Sequence, residues 1–256
     1  MRKTDLAPGL ILYLFPSREG KHYGFGLHVL LDEAEKTALI IDTGYEEHAA
    51  AVLADLKRGG YALKAAVISH FHPDPILGLQ ALPAIDIIGS ARCEETLSEF
   101  GEREEWEMFL PTQVTEEGAQ LSFGRFQLEF RSAPGHALCS QYTAINDEFV
   151  HVADNVMTSN EGKDILPWAE LDTIADHIAS LEMLRQYKNH TFLLSHGCAL
   201  ADEQGQQDAI ENRIRYFRNV LNGNGTLSYE EATRGCTCEF LHQEWLIRRE
   251  EGDSSS

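Results

Sequence analysis

The stretch Ser69-His70-Phe71-His72-Pro73-Asp74-Pro75 holds three candidate metal ligands at alternate positions. It directly follows the apolar run Ala65-Ala66-Val67-Ile68, which predicts a buried strand. In an extended chain, residues two positions apart project to the same side, so we expect His70, His72 and Asp74 to converge on one point. Imidazole and carboxylate groups together form ligand sets for zinc and non-haem iron. The stretch therefore predicts a metal site at the end of a strand.

Three more candidate ligands, His136, Asp154 and His196, follow β-prone runs farther along the chain. A single histidine near a strand end is more often a hydrogen-bonded structural residue than a ligand. Recurrence of the same context at four strand ends favours ligation instead, and we expect all four ends to lie at one edge of a sheet. The three downstream runs are Phe126 to Phe130, Phe149 to Ala153, and Thr191 to Leu194.

The order and context of these motifs resemble the metallo-β-lactamase superfamily. Its pattern is an aspartate-glycine turn after an early strand, then HxHxDH, a later PGH, an aspartate and a last histidine. This chain has, in that order, Ile41-Asp42-Thr43-Gly44, the stretch 69–75, Pro134-Gly135-His136, Asp154 and His196. The resemblance covers about residues 10 to 200. It implies an α/β fold, a four-layer αββα sandwich, here with extra C-terminal helices.

The resemblance also implies two neighbouring metal sites. One takes three histidines, which correspond to His70, His72 and His136. The other takes four ligands, of which this chain has Asp74, Asp154 and His196. Pro75 stands where the family usually has the fourth ligand, a histidine, and proline has no side-chain donor atom. We therefore expect one firmly bound metal ion and a second that is weaker or differently coordinated.

The activity that the resemblance implies is metal-dependent hydrolysis. A metal ion held by three histidines would lower the pKa of a bound water from near 16 to about 7, which produces a hydroxide nucleophile at neutral pH. Asp74 would position that nucleophile and accept its proton, and Asp154 would bridge or ligate. For Asp42 the resemblance implies a supporting structural role, while the simpler interpretation is a turn aspartate that caps its own backbone. Esters, thioesters, lactones and phosphodiesters of small molecules all suit this chemistry.

Metal identity and two other functions stay open at this stage. We expect zinc, with iron or manganese as alternatives, because the same nitrogen and oxygen ligands accept all three metals. His70, His136 and Asp154 could instead form the facial triad of a mononuclear iron oxygenase, and one branch of the superfamily resembles this as a sulfur dioxygenase. The second alternative is a non-catalytic module that uses a metal-containing fold for ligand binding or signalling.

Composition narrows the partners and the location. The chain has 256 residues with 21 Lys and Arg against 41 Asp and Glu, a formal net charge of -20. This balance argues against nucleic-acid and anionic-membrane surfaces and favours a small-molecule substrate. No signal peptide or membrane-length apolar stretch is apparent, so a cytoplasmic protein is expected. Five cysteines form no recognisable disulfide framework, and Cys236-Thr237-Cys238 has no second pair at zinc-site spacing.

The remaining pattern divides the chain into three parts. We expect a metallo-β-lactamase-like domain over residues 1–200, a helical extension over residues 201–249 and a disordered tail over residues 250–256. The extension is expected to cover the core, although the resemblance also allows it to wall the pocket or to form a homodimer. Its expected helices are Glu203 to Leu221, Tyr229 to Arg234 and Glu239 to Arg249. Earlier in the chain, a helical period over residues 171–184 predicts a helix packed on a sheet.

Overall fold

Two β-sheets lie face to face in the computed structural model, which describes residues 1–249. The expected tail, residues 250–256, lies outside the described residues. The first sheet has seven strands that neighbour one another in sequence order. Its first four strands are antiparallel and its last four are parallel, with the fourth strand shared between the two parts. The strands are β1 (Arg2–Ala7), β2 (Leu10–Leu14), β3 (Gly26–Asp32), β4 (Thr37–Ile41), β5 (Ala62–Val67), β6 (Asp86–Ser90) and β7 (Gln113–Thr115).

The second sheet has five strands in the order β12-β11-β10-β9-β8. All its pairs are antiparallel except β11 with β12. Its strands are β8 (Gln120–Phe123), β9 (Phe126–Ser132), β10 (Gln141–Ile145), β11 (Phe149–His151) and β12 (Thr191–Leu193). The sequence pattern did not predict β10, because Gln141 and Thr143 are polar although the whole strand is buried. It also did not predict β1, which is largely exposed and lacks an apolar alternation.

Helices cover the outer faces of both sheets. They are α1 (Glu46–Arg58), α2 (Pro73–Ile76), α3 (Cys93–Leu97), α4 (Arg103–Trp106), α5 (Ile174–Met183), α6 (Glu203–Asn222) and α7 (Tyr229–Ala232). The longest, α6, begins where the Asp202 carboxylate accepts a hydrogen bond from the Gly205 backbone N–H at 2.7 Å. No helix within residues 1–249 is long and apolar enough to cross a membrane.

Three apolar clusters separate four layers. The central cluster joins the facing sides of the two sheets, with Leu30 and Val67 from the first and Leu128 and Phe149 from the second. A second cluster lies between the first sheet and α1, and the third lies between the second sheet and helices α5 and α6. Strands such as β2 are buried on both faces, which explains their continuous apolar sequences. The expected αββα architecture is confirmed.

The C-terminal helices cover the core, with two departures from expectation. Ile210, Ile214 and Phe217 on α6 are buried against the second sheet, but Leu221, expected on the same stripe, is 40% exposed. The predicted helix Glu239 to Arg249 is wrong: only a 3-10 turn, Gln243–Trp245, forms there. The backbone around Leu241 instead bonds to the segment 164–166, so its N–H and carbonyl groups are not free to form a helix.

Arg213 joins α6 to the segment between β11 and β12. Its side chain is fully buried, and its guanidinium donates to the Asp164 carboxylate at 2.6 Å and to the Met157 carbonyl at 2.5 Å. A buried arginine with satisfied partners is costly to remove, because the partners are left unpaired.

We expect Arg213→Met to lower the free energy of unfolding by about 3 kcal/mol, since it strands the Asp164 carboxylate and the Met157 carbonyl. Arg218→Met is the matched control on the same helix, because Arg218 pairs with Glu182 at the surface and such pairs contribute about 0.5 kcal/mol. Urea unfolding measures both values. Equal losses in the two variants would contradict the structural role assigned to Arg213.

Candidate metal centre

The stretch after β5 is extended only as far as His72. His72 has backbone angles of φ -69 and ψ 164, and α2 begins at the next residue, Pro73, whose fixed φ suits the first helical position. Asp74 therefore lies in the first turn of a helix, so it does not continue the alternation of His70 and His72. The expectation that all three side chains converge on one point is wrong. They divide between two adjacent groups of candidate ligands.

The candidate ligands also do not lie at one edge of one sheet, as the sequence pattern suggested. His70 and His72 follow β5 of the first sheet, whereas His136, Asp154 and His196 follow strands of the second. The two sheet ends are joined there by backbone bonds, from Gly26 to Ser195 and from Gln141 to Ser69. The centre is therefore built across the sandwich.

The first group consists of His70, His72 and His136. Their three ring centroids are 4.8, 5.0 and 4.8 Å apart, and the rings stand nearly perpendicular to one another. One ligand atom from each ring lies within 4.8 Å of the others. His72 Nδ1 and His136 Nε2 are 3.0 Å apart. This arrangement matches three imidazoles directed at one cation.

The electrostatics of this group favour neutral rings for His70 and His72. Burial, opposed by the Asp154 carboxylate, lowers the pKa of His70 to about 4. Burial and the neighbouring rings of His136 and His70 lower the pKa of His72 to about 2. His70 Nε2 is buried and has no hydrogen-bond partner among the described residues. A neutral imidazole with an unused ring nitrogen is the form that ligates a metal ion, so this donor set fits one.

The second group consists of Asp74, Asp154 and His196. His196 Nε2 lies 3.0 Å from the Asp74 carboxylate and 3.2 Å from that of Asp154. Burial lowers the pKa of His196, but the two carboxylates overcome it and raise that pKa well above its usual value. Burial raises the pKa of Asp154, but His196 and His70 overcome it and hold that pKa well below its usual value. The protonated His196 ring thus neutralises the repulsion between the two carboxylates. A metal cation at this position would provide the same positive charge.

Asp154 joins the two groups into one centre. One of its carboxylate oxygens, Oδ2, lies 3.7 Å from His70 Nε2, 3.5 Å from His136 Nε2 and 3.2 Å from His196 Nε2. The other oxygen, Oδ1, is buried without a hydrogen-bond partner among the described residues. A buried carboxylate oxygen without a donor is costly, so this position calls for a cation. Both groups can therefore use the same carboxylate.

Asp42 forms hydrogen bonds with residues next to ligands of both groups. Its carboxylate accepts hydrogen bonds from the Ser69 backbone N–H at 2.8 Å, the Ser69 hydroxyl at 2.8 Å and the Ser195 hydroxyl at 3.0 Å. Burial, opposed by the bonds from Ser69, raises the pKa of Asp42 to about 7. Ser69 and Ser195 directly precede His70 and His196, so one carboxylate fixes ligand segments of both sheets. Asp42 thus bonds to distant residues, in contrast to the interpretation that it caps its own turn.

Helix α5 fixes the loop that carries His136, which sequence reasoning did not anticipate. The Thr173 hydroxyl donates to the Gly135 carbonyl at 2.8 Å, and the Ser180 hydroxyl donates to the Pro134 carbonyl at 2.6 Å. Gly135 has a φ of 139 degrees, and a Cβ atom there would lie 2.3 Å from the His177 backbone. Only glycine permits this close approach. No local sequence signal links Thr173 or Ser180 to the motif 134–136, because β10 and β11 lie between them in the chain.

Aromatic side chains enclose the second group on one side, a further feature that the sequence pattern did not identify. The rings of Tyr23 and Phe25 lie 4.7 and 4.9 Å from that of His196. Tyr23 also contacts His242 and Trp245, which come from the C-terminal segment. His242 and Trp245 therefore lie behind Tyr23 on this side of the group, although their segment does not form the expected helix.

Pro75 borders the same group. It lines a small cavity together with Phe25, Asp74 and His196. Its carbonyl accepts hydrogen bonds from the Thr43 backbone N–H at 2.9 Å and the Thr43 hydroxyl at 2.7 Å. The backbone at this position is thus fixed beside the candidate ligands, while its side chain offers no donor atom.

A family model of the metallo-beta-lactamase superfamily matches residues 24–196, a span that contains every candidate ligand. The chain belongs to the metallo-β-lactamase superfamily. Among solved structures it is similar to a metallo-beta-lactamase from Pontibacter korlensis, with 16% identity, a TM-score of 0.67 and coverage of 85% of this chain and 99% of that chain. A metallo-beta-lactamase from Hirschia baltica gives 13% identity, a TM-score of 0.63 and coverage of 82% and 96%. No curated protein matches the sequence.

The superfamily binds divalent metals, and the two His and Asp groups are suitable candidates to hold them. The TM-scores show a shared fold. At identities of 16% and 13%, similarity to these relatives identifies neither the substrate nor the metal of this chain. Within residues 1–249 no other cluster of three ligand side chains was found.

Cys236 and Cys238 are half-buried free thiols, and burial together with nearby Asp164 raises the pKa of Cys238 to about 12. These pKa shifts favour ordinary protonated thiols.

Metal uptake by the two groups should respond differently to pH. In the metal-free protein His196 holds a proton at neutral pH, because its pKa is raised, and a metal ion must displace that proton. Affinity of the Asp74, Asp154 and His196 group should therefore rise by up to about tenfold per pH unit from about pH 6 to about pH 8. His70 and His72 are already neutral over that range, so affinity of their group should change much less.

Competitive zinc titrations against a chelator at several pH values, starting from metal-free protein, measure both affinities. His196→Gln serves as the control, because it removes the displaced proton and should flatten the pH dependence of the weaker site. Identical pH slopes for the two sites in the parent protein would contradict the prediction.

Pro75→His should raise the affinity for the second metal ion by at least about tenfold, because it supplies a donor atom beside Asp74 and His196. Pro75→Leu is the matched control, since it also removes the proline ring but adds no donor. Isothermal titration of zinc into each variant gives the second dissociation constant. If the parent protein already binds two ions equally tightly, the expected weakness of the second site is wrong.

Proposed function

We propose that this protein is a metal-dependent hydrolase of small molecules that acts on an ester, thioester, lactone or phosphodiester bond. The observation that carries the proposal is the shared Asp154 carboxylate, buried between His70, His136 and His196. One of its oxygens has no hydrogen-bond partner within residues 1–249. A cation at this position would satisfy both that oxygen and the unpaired nitrogen of His70. Membership of the superfamily supports the same conclusion.

The proposed ligands fall into two sets. His70, His72 and His136 would hold one divalent ion, and Asp74, Asp154 and His196 would hold a second, more weakly because of Pro75. Such an ion lowers the pKa of water and polarises the oxygen of a scissile bond. Zinc is the proposed metal, and iron and manganese suit the same donors.

The burial of the six candidate ligands indicates the side from which a substrate would approach. His70, Asp154 and His196 are buried, whereas His72, Asp74 and His136 are only partly buried. A substrate must therefore arrive from the side of these last three residues. His196 overcomes the effect of burial and lowers the pKa of Asp74, so Asp74 is a carboxylate at neutral pH and can accept a proton. We propose that Asp74 orients the attacking water and receives its proton when only the first ion is bound, and that it serves as a ligand when the second ion is present.

The iron oxygenase alternative has a specific observation in its favour. His70, His136 and Asp154 could serve as a facial triad, since the Asp154 Oδ2 atom lies 3.7 and 3.5 Å from the two Nε2 atoms. The absence of a fourth ligand at Pro75 fits a single-metal enzyme as well. Metal content and oxygen consumption separate this alternative from hydrolysis.

The decisive experiment combines elemental analysis with turnover assays. Protein purified without chelators should contain zinc and hydrolyse at least one member of a panel of neutral esters, thioesters, lactones and phosphodiesters. His136→Ala should lower the turnover by at least about a hundredfold while the protein stays folded, because a metal ligand is lost. His190→Ala is the matched control, since His190 lies outside both ligand groups.

Three outcomes would overturn hydrolysis as the function. Iron content with thiol-dependent oxygen uptake would support the oxygenase. A folded, metal-containing protein without turnover on any bond class would support a ligand-binding or signalling module. Turnover that is unchanged in His136→Ala would show that the activity does not use this centre.

A homodimer through the C-terminal helices also remains a prediction, which sedimentation equilibrium can check.

A further inference from the structure

Two exposed aromatic rings lie against the solvent-facing histidines of the centre. Among the described residues, six large apolar side chains are exposed, and two of them are Phe100 at 48% and Trp168 at 41%. The Phe100 ring lies 5.7 Å from that of His72, and the Trp168 ring lies 6.2 Å from His72 and 5.8 Å from His136. Exposed aromatic surface beside a polar centre is typical of a binding site for an apolar group.

The two rings come from different parts of the chain. Phe100 ends the 3-10 turn Ser98–Phe100 that follows α3, and Trp168 lies between β11 and α5. The Trp168 carbonyl lies 3.4 Å from His136 Nδ1, which fixes its backbone next to the ligand. Both segments therefore meet at the side from which a substrate would approach. Neither ring is needed to fill the core, because each leaves nearly half of its surface in water.

The surroundings of the two rings are acidic. Glu99 adjoins Phe100, and Glu170 follows Trp168 by two residues. Burial raises the pKa of Glu99, and the charge of Glu170 raises it further, so the two carboxyl groups lie close enough to interact. A negatively charged group bound beside the rings would be repelled by both carboxylates.

The two arginines of this segment do not offset these carboxylates, which leaves the metal ions of the centre as the neighbouring positive charge. Arg92 makes two bonds of 2.9 Å to Glu95, and Arg103 donates to Glu94 at 2.9 Å. Each arginine of this segment is therefore already paired. The excess of acidic residues over the whole chain adds to the local negative field.

We propose that Phe100 and Trp168 form the substrate-binding subsite of the centre, and that they select an apolar, preferably aromatic, group that is neutral or positively charged. The rings supply contact surface for the apolar group, and aromatic faces attract cations. Glu99 and Glu170 disfavour substrates that carry a carboxylate or phosphate at this end. The proposal rests on the proposed function, because it names the substrate class of the same site.

Binding of unreactive probes tests the subsite without any need for turnover. Three ketones share one skeleton and differ in charge: neutral 4-phenyl-2-butanone and its ring-substituted para-carboxylate and para-trimethylammonium analogues. Metal-loaded protein labelled with 5-fluorotryptophan reports their binding by fluorine NMR, and Trp168→Phe assigns the Trp168 signal among the three tryptophans. The neutral and cationic probes should shift the Trp168 signal and bind at least about fivefold more tightly than the anion.

Four variants separate the contributions. Phe100→Ala and Trp168→Ala should each weaken binding of the neutral probe by about threefold to tenfold, because each removes aromatic contact surface. Isothermal titration measures these affinities, since Trp168→Ala lacks the reporter ring. Val114→Ala removes an equally exposed apolar side chain from β7 and should leave binding unchanged. The double variant Glu99→Gln with Glu170→Gln should bring the affinity for the anionic probe close to that for the neutral one.

The subsite proposal is wrong if the anionic probe binds the parent protein as tightly as the neutral probe. It is also wrong if neither alanine variant weakens the binding of the neutral probe more than Val114→Ala does. A protein that shows the expected probe selectivity but hydrolyses nothing in the panel would retain the subsite and overturn the hydrolase. Turnover of a substrate with no dependence on Phe100 or Trp168 would do the reverse.

Discussion

The buried carboxylate of Asp154 imposes the main physical constraint on this molecule. It lies within 3.7 Å of His70, His136 and His196, and only 4% of its side chain is exposed. A carboxylate removed from water needs positive charge or several donors nearby. The protein provides one protonated histidine, and the described part of the chain leaves a carboxylate oxygen and a histidine nitrogen without hydrogen-bond partners. Because these atoms lack partners, a bound metal ion would stabilise the centre better than the surrounding protein groups do by themselves.

Two opposed sheets must be held in register for that centre to exist. Asp42 does so from the first sheet, because its carboxylate bonds to Ser69 in its own sheet and to Ser195 beyond the last strand of the second. Thr173 and Ser180 fix the third segment through the carbonyls that precede His136. These supporting residues are not candidate ligands themselves. They convert the flexible ends of strands into a fixed arrangement of donors.

The centre and its surroundings divide two tasks. The buried side of the centre, around Asp154 and His196, concentrates charge where water is excluded. The open side, around His72 and His136, presents exposed aromatic rings and acidic groups. Chemistry and selection would therefore depend on different residues, which is a common arrangement when one fold serves many substrates. The C-terminal segment contributes to the buried side through His242 and Trp245, which contact Tyr23.

The sequence by itself determined the candidate ligands, because strand-end motifs are local signals. The αββα architecture came from the sequence only through its resemblance to the metallo-β-lactamase superfamily. The sequence did not predict the partly polar strand β10 or the non-helical segment around Leu241, since their conformations depend on hydrogen bonds to distant partners. Only the tertiary structure decided that the ligands come from two sheets, with His70 and His72 after β5 of the first and His136, Asp154 and His196 after strands of the second. It alone brought Phe100 and Trp168 beside the histidines, because no spacing along a chain encodes a contact between residues so far apart.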